Sequence, residues 1–205
     1  MIMLFYIFIS CKSRIEQCYP RIINMMKELK NDNYIIVTGG HDEYKYFHDK
    51  HLLEIQCNDY YEGLPEKVIK TYKYIYENIL FNSFTHFCKL DDDMVIKQLI
   101  NTSLLSDYCG KVNNNWSGNR KWHINRCSKD SSFNNTEYSG PYVPWCLGGC
   151  GYIISRNSLK IVSTDTNYHN EIYEDLYVGK ILYGRQINPT NILGLSKYIY
   201  SKDHS

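Results

Sequence analysis

The stretch FTHFCKLDDDMVIK, residues 84–97, sets an apolar, strand-like run directly before three adjacent carboxylates, Asp91, Asp92 and Asp93. A short apolar run rich in aromatic residues reads as a buried strand. Three like charges side by side repel one another, so a chain that keeps them together needs something to neutralise them. One answer is a solvated acidic turn, since charge runs are commonly exposed faces. The other is a divalent cation carrying a phosphorylated ligand, because Mg²⁺ and Mn²⁺ prefer hard oxygen ligands and bridge a few carboxylates to phosphates. Taken alone, the triplet does not choose between them.

Upstream of this stretch, apolar runs alternate with helix-like segments. IMLFYIFIS (residues 2–10) reads as a buried first strand, NYIIVTGG (33–40) as a second, and HLLEIQC (51–57) as a third. Between the first two lie Ile15, Ile22, Met26 and Leu29 at mostly helical spacing. Ser13 and Glu16 have the spacing of a capping box, but Pro20 interrupts such a helix, which then starts or restarts there. LPEKVIKTYKYIYENIL (64–80) is the clearest helix, with Leu64, Val68, Tyr72, Ile75 and Ile79 on one stripe and Pro65 suited to the first turn. A βαβα order predicts an α/β fold with a mainly parallel central sheet flanked by helices, binding ligands beyond the carboxyl ends of its strands. The triplet stands at such an end. Gly39-Gly40 follows a strand too, but without the G-x-G-x-x-G of a dinucleotide site.

The second half is less periodic. Residues 109–145 are rich in Asn, Ser, Gly and aromatics and read as long ordered loops. WCLGGCGYIIS (145–155) places Gly148, Gly149 and Gly151 before a strand, GYIIS, where a backbone could approach a ligand closely. A tight strand entry without a ligand fits equally. NEIYEDLYVGKILYG (170–184) reads as a helix with Leu176, Ile181 and Leu182 inward and Glu174-Asp175 near its start. There the helix dipole favours an ionised carboxylate, as a general base requires; ordinary first-turn charge is the plainer reading.

Bulk properties are those of an ordinary globular protein: 205 residues, enough for one domain, 22% charged and 43% hydrophobic, with a net charge of +1. No basic excess points to nucleic acid. The chain lacks Ala and is rich in Asn, Ile, Lys and Tyr, which fits an AT-rich genome rather than a function. The opening MIMLFYIFIS is shorter than the roughly 20 residues of a membrane span and has neither the basic flank nor the cleavage site of a signal peptide. Eight cysteines without CxxC pairing argue against zinc and fit reduced, buried thiols. Asn101, Asn115 and Asn134 begin sequons that matter only in a secretory compartment. A cytoplasmic location is the expectation.

The three motifs, taken in order, resemble glycosyltransferase family 31, the group of β-1,3-galactosyltransferases, β-1,3-N-acetylglucosaminyltransferases and Fringe. DYYEGLPEK (59–67) is similar to the family's Asp-x-Tyr-x-Asn-Leu-Thr-x-Lys stretch through Asp59, Tyr61, Leu64 and Lys67, with Gly63 and Pro65 departing from it. RKWHI (120–124) resembles its Lys-Trp-Tyr-Val segment, and GGCGYIIS the Gly-Gly-Ala-Gly-Phe form of Fringe-like members. The resemblance runs from about residue 1 to the C-terminus. It implies a GT-A-type fold in a single domain spanning 1–205, with a nucleotide-sugar-binding half (1–100) and an acceptor-binding, catalytic half (101–205).

The implied activity is inverting, metal-dependent transfer of a hexose from a UDP-sugar to a hydroxyl of a glycan acceptor, forming a β-linkage. By the resemblance Asp175 is the catalytic base. Ser10, Asp59, Lys67, Asp91, Asp92, Gly148, Gly149 and Glu174 border the donor. Asp91, Asp93 and a C-terminal histidine, His204, hold Mn²⁺ or Mg²⁺, with His169 as a competitor for that last place. Trp116, Trp122 and Trp145 are candidates to stack on sugar rings or, equally, to pack in the core. The animal enzymes are membrane-anchored and longer; a short, unanchored member with this composition suits a large DNA virus or a microbe, with host cytoplasm or a virus factory as its setting. Two other readings compete: a glycosyltransferase-like protein that binds sugar nucleotide or glycan without turnover, and a metal-dependent phosphohydrolase, for which no further ligand set is found.

Overall fold

The computed structural model describes residues 2–201. Every residue of β1 (Leu4–Ile9) is buried, as a strand covered on both faces must be. The chain then forms α1 (Ile15–Glu28), β2 (Tyr34–Thr38), β3 (Lys45–Phe47), β4 (Leu52–Glu54), α2 (Leu64–Glu77) and β5 (His86–Asp91). Next come β6 (Met94–Ile96), β7 (Tyr108–Gly110), β8 (Val112–Asn113), β9 (Trp145–Cys146) and β10 (Tyr152–Ser155). The helices α3 (Arg156–Ser163) and α4 (Glu174–Tyr183) and the strands β11 (Thr190–Asn191) and β12 (Ile199–Ser201) complete the order.

Eight strands form one sheet in the order β11-β7-β10-β5-β1-β2-β4-β3. β5, β1, β2 and β4 are parallel neighbours. β10 runs antiparallel between β5 and β7, and β3 runs antiparallel at the far edge. This is the mainly parallel, helix-flanked α/β sheet expected of a GT-A-type fold. Strand alternation divides its core in two. Phe5, Ile7, Ile35, Val37, Phe87, Tyr152 and Ile154 face α2, α3 and α4. Tyr6, Phe8, Ile36, Cys88, Leu90 and Ile153 face α1 and the small β6–β12 ribbon. Each large side chain so buried contributes about 1.5–3 kcal/mol.

Several local expectations are corrected. α1 runs unbroken through Pro20, which lies on its exposed side, while Cys18, Ile22 and Met26 form its buried stripe. No capping box forms: Arg14 is the N-cap and makes no side-chain cap bond, and the Ser13 hydroxyl lies against the Cys11 thiol. α2 ends at Glu77, so Ile79 is not part of its apolar stripe and stands 79% exposed. The expectation of reduced cysteines holds: all eight are free thiols. Among the described residues no helix is long and apolar enough to cross a membrane.

Candidate active site

β5 ends at Asp91, and Asp92 and Asp93 make the turn into β6. The carboxylates of Asp91 and Asp92 leave this turn toward different partners. Asp92 is buried: its Oδ2 accepts the Ser10 hydroxyl at 2.7 Å and its Oδ1 meets the Arg14 guanidinium at 3.0 Å. Burial pushes its carboxyl above the usual carboxylate range, against the pull of Ser10 and Arg14. Asp92 and Ser10, both expected at the donor, thus satisfy each other, and their described contacts hold the turn to the end of β1. Asp91 is 40% exposed, with Oδ1 at 2.6 Å from the Lys89 ammonium. The carbonyl of Asp93 accepts from Arg21 at 3.1 Å, tying the turn to α1.

Lys89 had no place among the residues expected at the site. It is 2% exposed and lies on the same strand face as Asp91, two residues on. Its ammonium also reaches Glu174 Oε2 at 2.9 Å, at the start of α4. Burial works against the charged amine, but Asp91 and Glu174 outweigh it and hold Lys89 well above the ordinary lysine value. Glu174 also accepts the Tyr152 hydroxyl, which in turn accepts from Tyr72 at 3.0 Å. Burial raises the Glu174 carboxyl above its usual range despite Lys89. A lysine inside an otherwise apolar strand, two residues before a carboxylate, was the available signal.

Next along α4, Asp175 faces the glycine turn. Its Oδ2 accepts from the Gly148 N–H at 2.8 Å and the Trp145 indole at 3.2 Å, and its Oδ1 from the Leu176 N–H at 2.8 Å. A carboxylate offers about four acceptor positions, so the contacts among the described residues leave one for a further proton donor. A Cβ on Gly148 would sit 3.0 Å from that of Asp175, so the close approach depends on glycine. Gly149 is exposed with open space before it, and Gly151, at φ +75°, lies against Leu90 of β5. The turn therefore borders both the base candidate and the end of the triplet strand.

The Asp59-Lys67 pair lies across the ends of β1 and β2. Asp59 accepts from the Lys12 and Gly39 N–H groups at 2.7 and 2.8 Å and meets the Lys67 ammonium at 2.6 Å. Lys67, 1% exposed, also donates to the Ser10 carbonyl at 2.8 Å. Trp145 is buried; Trp116 and Trp122 are exposed, with Arg126 stacked 3.9 Å from the Trp122 ring centre. His169 sits beside Tyr168 in a single turn packed on α2. His204 lies outside the described residues, although β12 pairs Ser201 with Met94, next to the triplet.

The donor set near β5 is oxygen only. Among the described residues no three His, Cys, Asp or Glu side chains converge on a cation-sized site. That still suits Mg²⁺ or Mn²⁺, which bind to one or two carboxylates and take their other ligands from phosphate and water.

No curated protein sequence matches the chain. Among solved structures it is similar to a "Putative Glucose-1-Phosphate Thymidylyltransferase from Bacillus anthracis" in complex with a sucrose, at 9% identity and a TM-score of 0.48, over 97% of this chain and 89% of that one. The Galactosyltransferase family model matches residues 27–192, a span that holds the acidic triplet, the glycine turn and Glu174-Asp175, and by that match the chain belongs to the galactosyltransferase family.

Proposed function

We propose that the protein is an inverting, metal-dependent glycosyltransferase that moves a hexose from a UDP-sugar to a hydroxyl of a glycan. One observation supports the reading: Lys89 bonds Asp91 and Glu174 at once, which brings the triplet close to the residue preceding the base candidate. Asp91 and Asp93 would hold Mn²⁺ or Mg²⁺, with His204 as an additional ligand. A bound cation would offset the charge growing on the UDP leaving group.

Asp175 is the base. Trp145 and Gly148 fix its Oδ2, and the remaining acceptor position takes the proton of the incoming hydroxyl as the acceptor oxygen bonds to the anomeric carbon. The bond from that carbon to the phosphate oxygen breaks with its electron pair leaving on UDP. One in-line displacement inverts the centre, so an α-linked donor gives a β-linked product. Gly149, exposed with open space before it, borders the space left for substrate.

Proton NMR of the first-formed product from an α-linked UDP-hexose should show the β-anomer. Asp175→Asn keeps the shape and should cut turnover by about 10²-fold or more while donor binding survives. An α-product, or full activity in that variant, would overturn the mechanism. On the metal side, Asp93→Asn should abolish Mn²⁺-dependent UDP binding in titration calorimetry; unchanged affinity would remove Asp93 from the site.

A further inference from the structure

We infer that Lys89 is a positioning residue that sets the start of α4 against the end of β5 and thereby places Asp175. This rests on Asp175 being the base. Lys89 is itself almost fully buried. It is enclosed by Asp91, Glu174 and the ring of Tyr152, whose centre lies 5.8 Å from the ammonium.

The geometry makes it a strut. Glu174 is the first residue of α4, and Tyr173 before it caps the helix without a side-chain bond. Among the described residues, Glu174 bonds Lys89 and Tyr152 at this helix start, Asp175 bonds Gly148 and Trp145, and the Tyr173 hydroxyl is anchored separately on His123 and the Asn119 carbonyl. Gly148 follows β9 in the loop connection to β10, which pairs with β5 through Tyr152 opposite Lys89. A single ammonium thus closes a loop of contacts running β5, α4, glycine turn, β10 and back to β5. Without it, a buried carboxylate at the helix start loses its cation and has reason to seek water, drawing Asp175 with it. A displacement near 1 Å at a reacting group is enough to cost about 10²-fold in rate.

The test uses Lys89→Met and, because a lone buried Glu174 could prevent folding, also Lys89→Met combined with Glu174→Gln. The first readout needs no turnover. The Trp145 indole N–H signal, assigned with Trp145→Phe in an ¹H–¹⁵N spectrum, reports its bond to Asp175; the signals of exposed Trp116 and Trp122 are internal controls. The Trp145 signal should move in both variants while the other two stay. The second readout is kinetic: kcat should fall by about 10²-fold with donor KM within about 3-fold, the pattern of a lost transition-state arrangement. The double variant should be no worse than the single one, because both changes cut the same link. An unmoved Trp145 signal with kcat within about 2-fold of the parent in the variant that folds would overturn the inference. If the parent protein transfers no sugar, the proposed function fails while the indole signal still decides what Lys89 does.

Discussion

Two lysines are buried at the carboxyl edge of the sheet, and they do different things. Lys67 joins the Asp59 carboxylate to the Ser10 carbonyl, and Asp59 takes backbone N–H groups from Lys12 and Gly39. That cluster ties backbone to backbone at the ends of β1 and β2. Lys89 joins two side chains, Asp91 and Glu174, from opposite halves of the chain. A buried charge bonded to backbone shapes a loop; one bonded only to side chains sets where those side chains point. Placement in the fold is similar, and the partner decides the role.

The comparison can be broken most directly by removing each cation. Lys89→Met leaves Glu174 buried without a counter-charge and should cost about 3–5 kcal/mol in urea denaturation. Lys67→Met should cost less, about 1–3 kcal/mol, because Asp59 keeps two N–H donors and is partly exposed. A larger loss at Lys67 would reverse the assignment of roles. The glycine turn sharpens the comparison on the Lys89 side. Gly148→Ala presses on Asp175 and should lower turnover by about 10-fold with little change in melting temperature. Gly149→Ala meets no protein atom and should leave the melting temperature unchanged.

The smallest effect lies at the other end of β5. Burial pulls the His86 imidazole below its ordinary value of 6.5, against Asp107. The folded state therefore takes up this proton at lower pH than the unfolded chain does. Stability from this group is complete above about pH 6.5, declines as pH falls from there toward the lower folded value, and then levels off. His86→Gln should flatten that part of a stability–pH profile, and an unchanged slope would exclude the group.

The regular part of the fold was legible because local pattern and burial agree. β1, β2, β5 and α2 have strand or helix periodicity that the sheet uses as written. Pro20 misled because the rest of its helix packs through Cys18, Ile22 and Met26, which outweighs one absent backbone bond on an exposed side. Ile79 misled because apolar spacing continues past the helix end into a turn. At the site, the triplet, the glycine turn and Glu174-Asp175 could each be seen, but their association could not. It depends on β10 pairing back onto β5 and on Lys89, both long-range. Arg14 beside Asp92 and the Trp145 indole on Asp175 had no local signature for the same reason.

The sheet's two outer strands carry a consequence for handling the protein. One edge is β11, two exposed residues long; the other is β3, three residues, where Lys45 and Lys50 lie over the Phe47 ring. An incoming strand needs a long, flat, unpaired ladder to dock on, and short or lysine-guarded edges deny it one. An eight-stranded sheet closed off in this way should resist edge-to-edge stacking when the protein is concentrated for calorimetry or NMR.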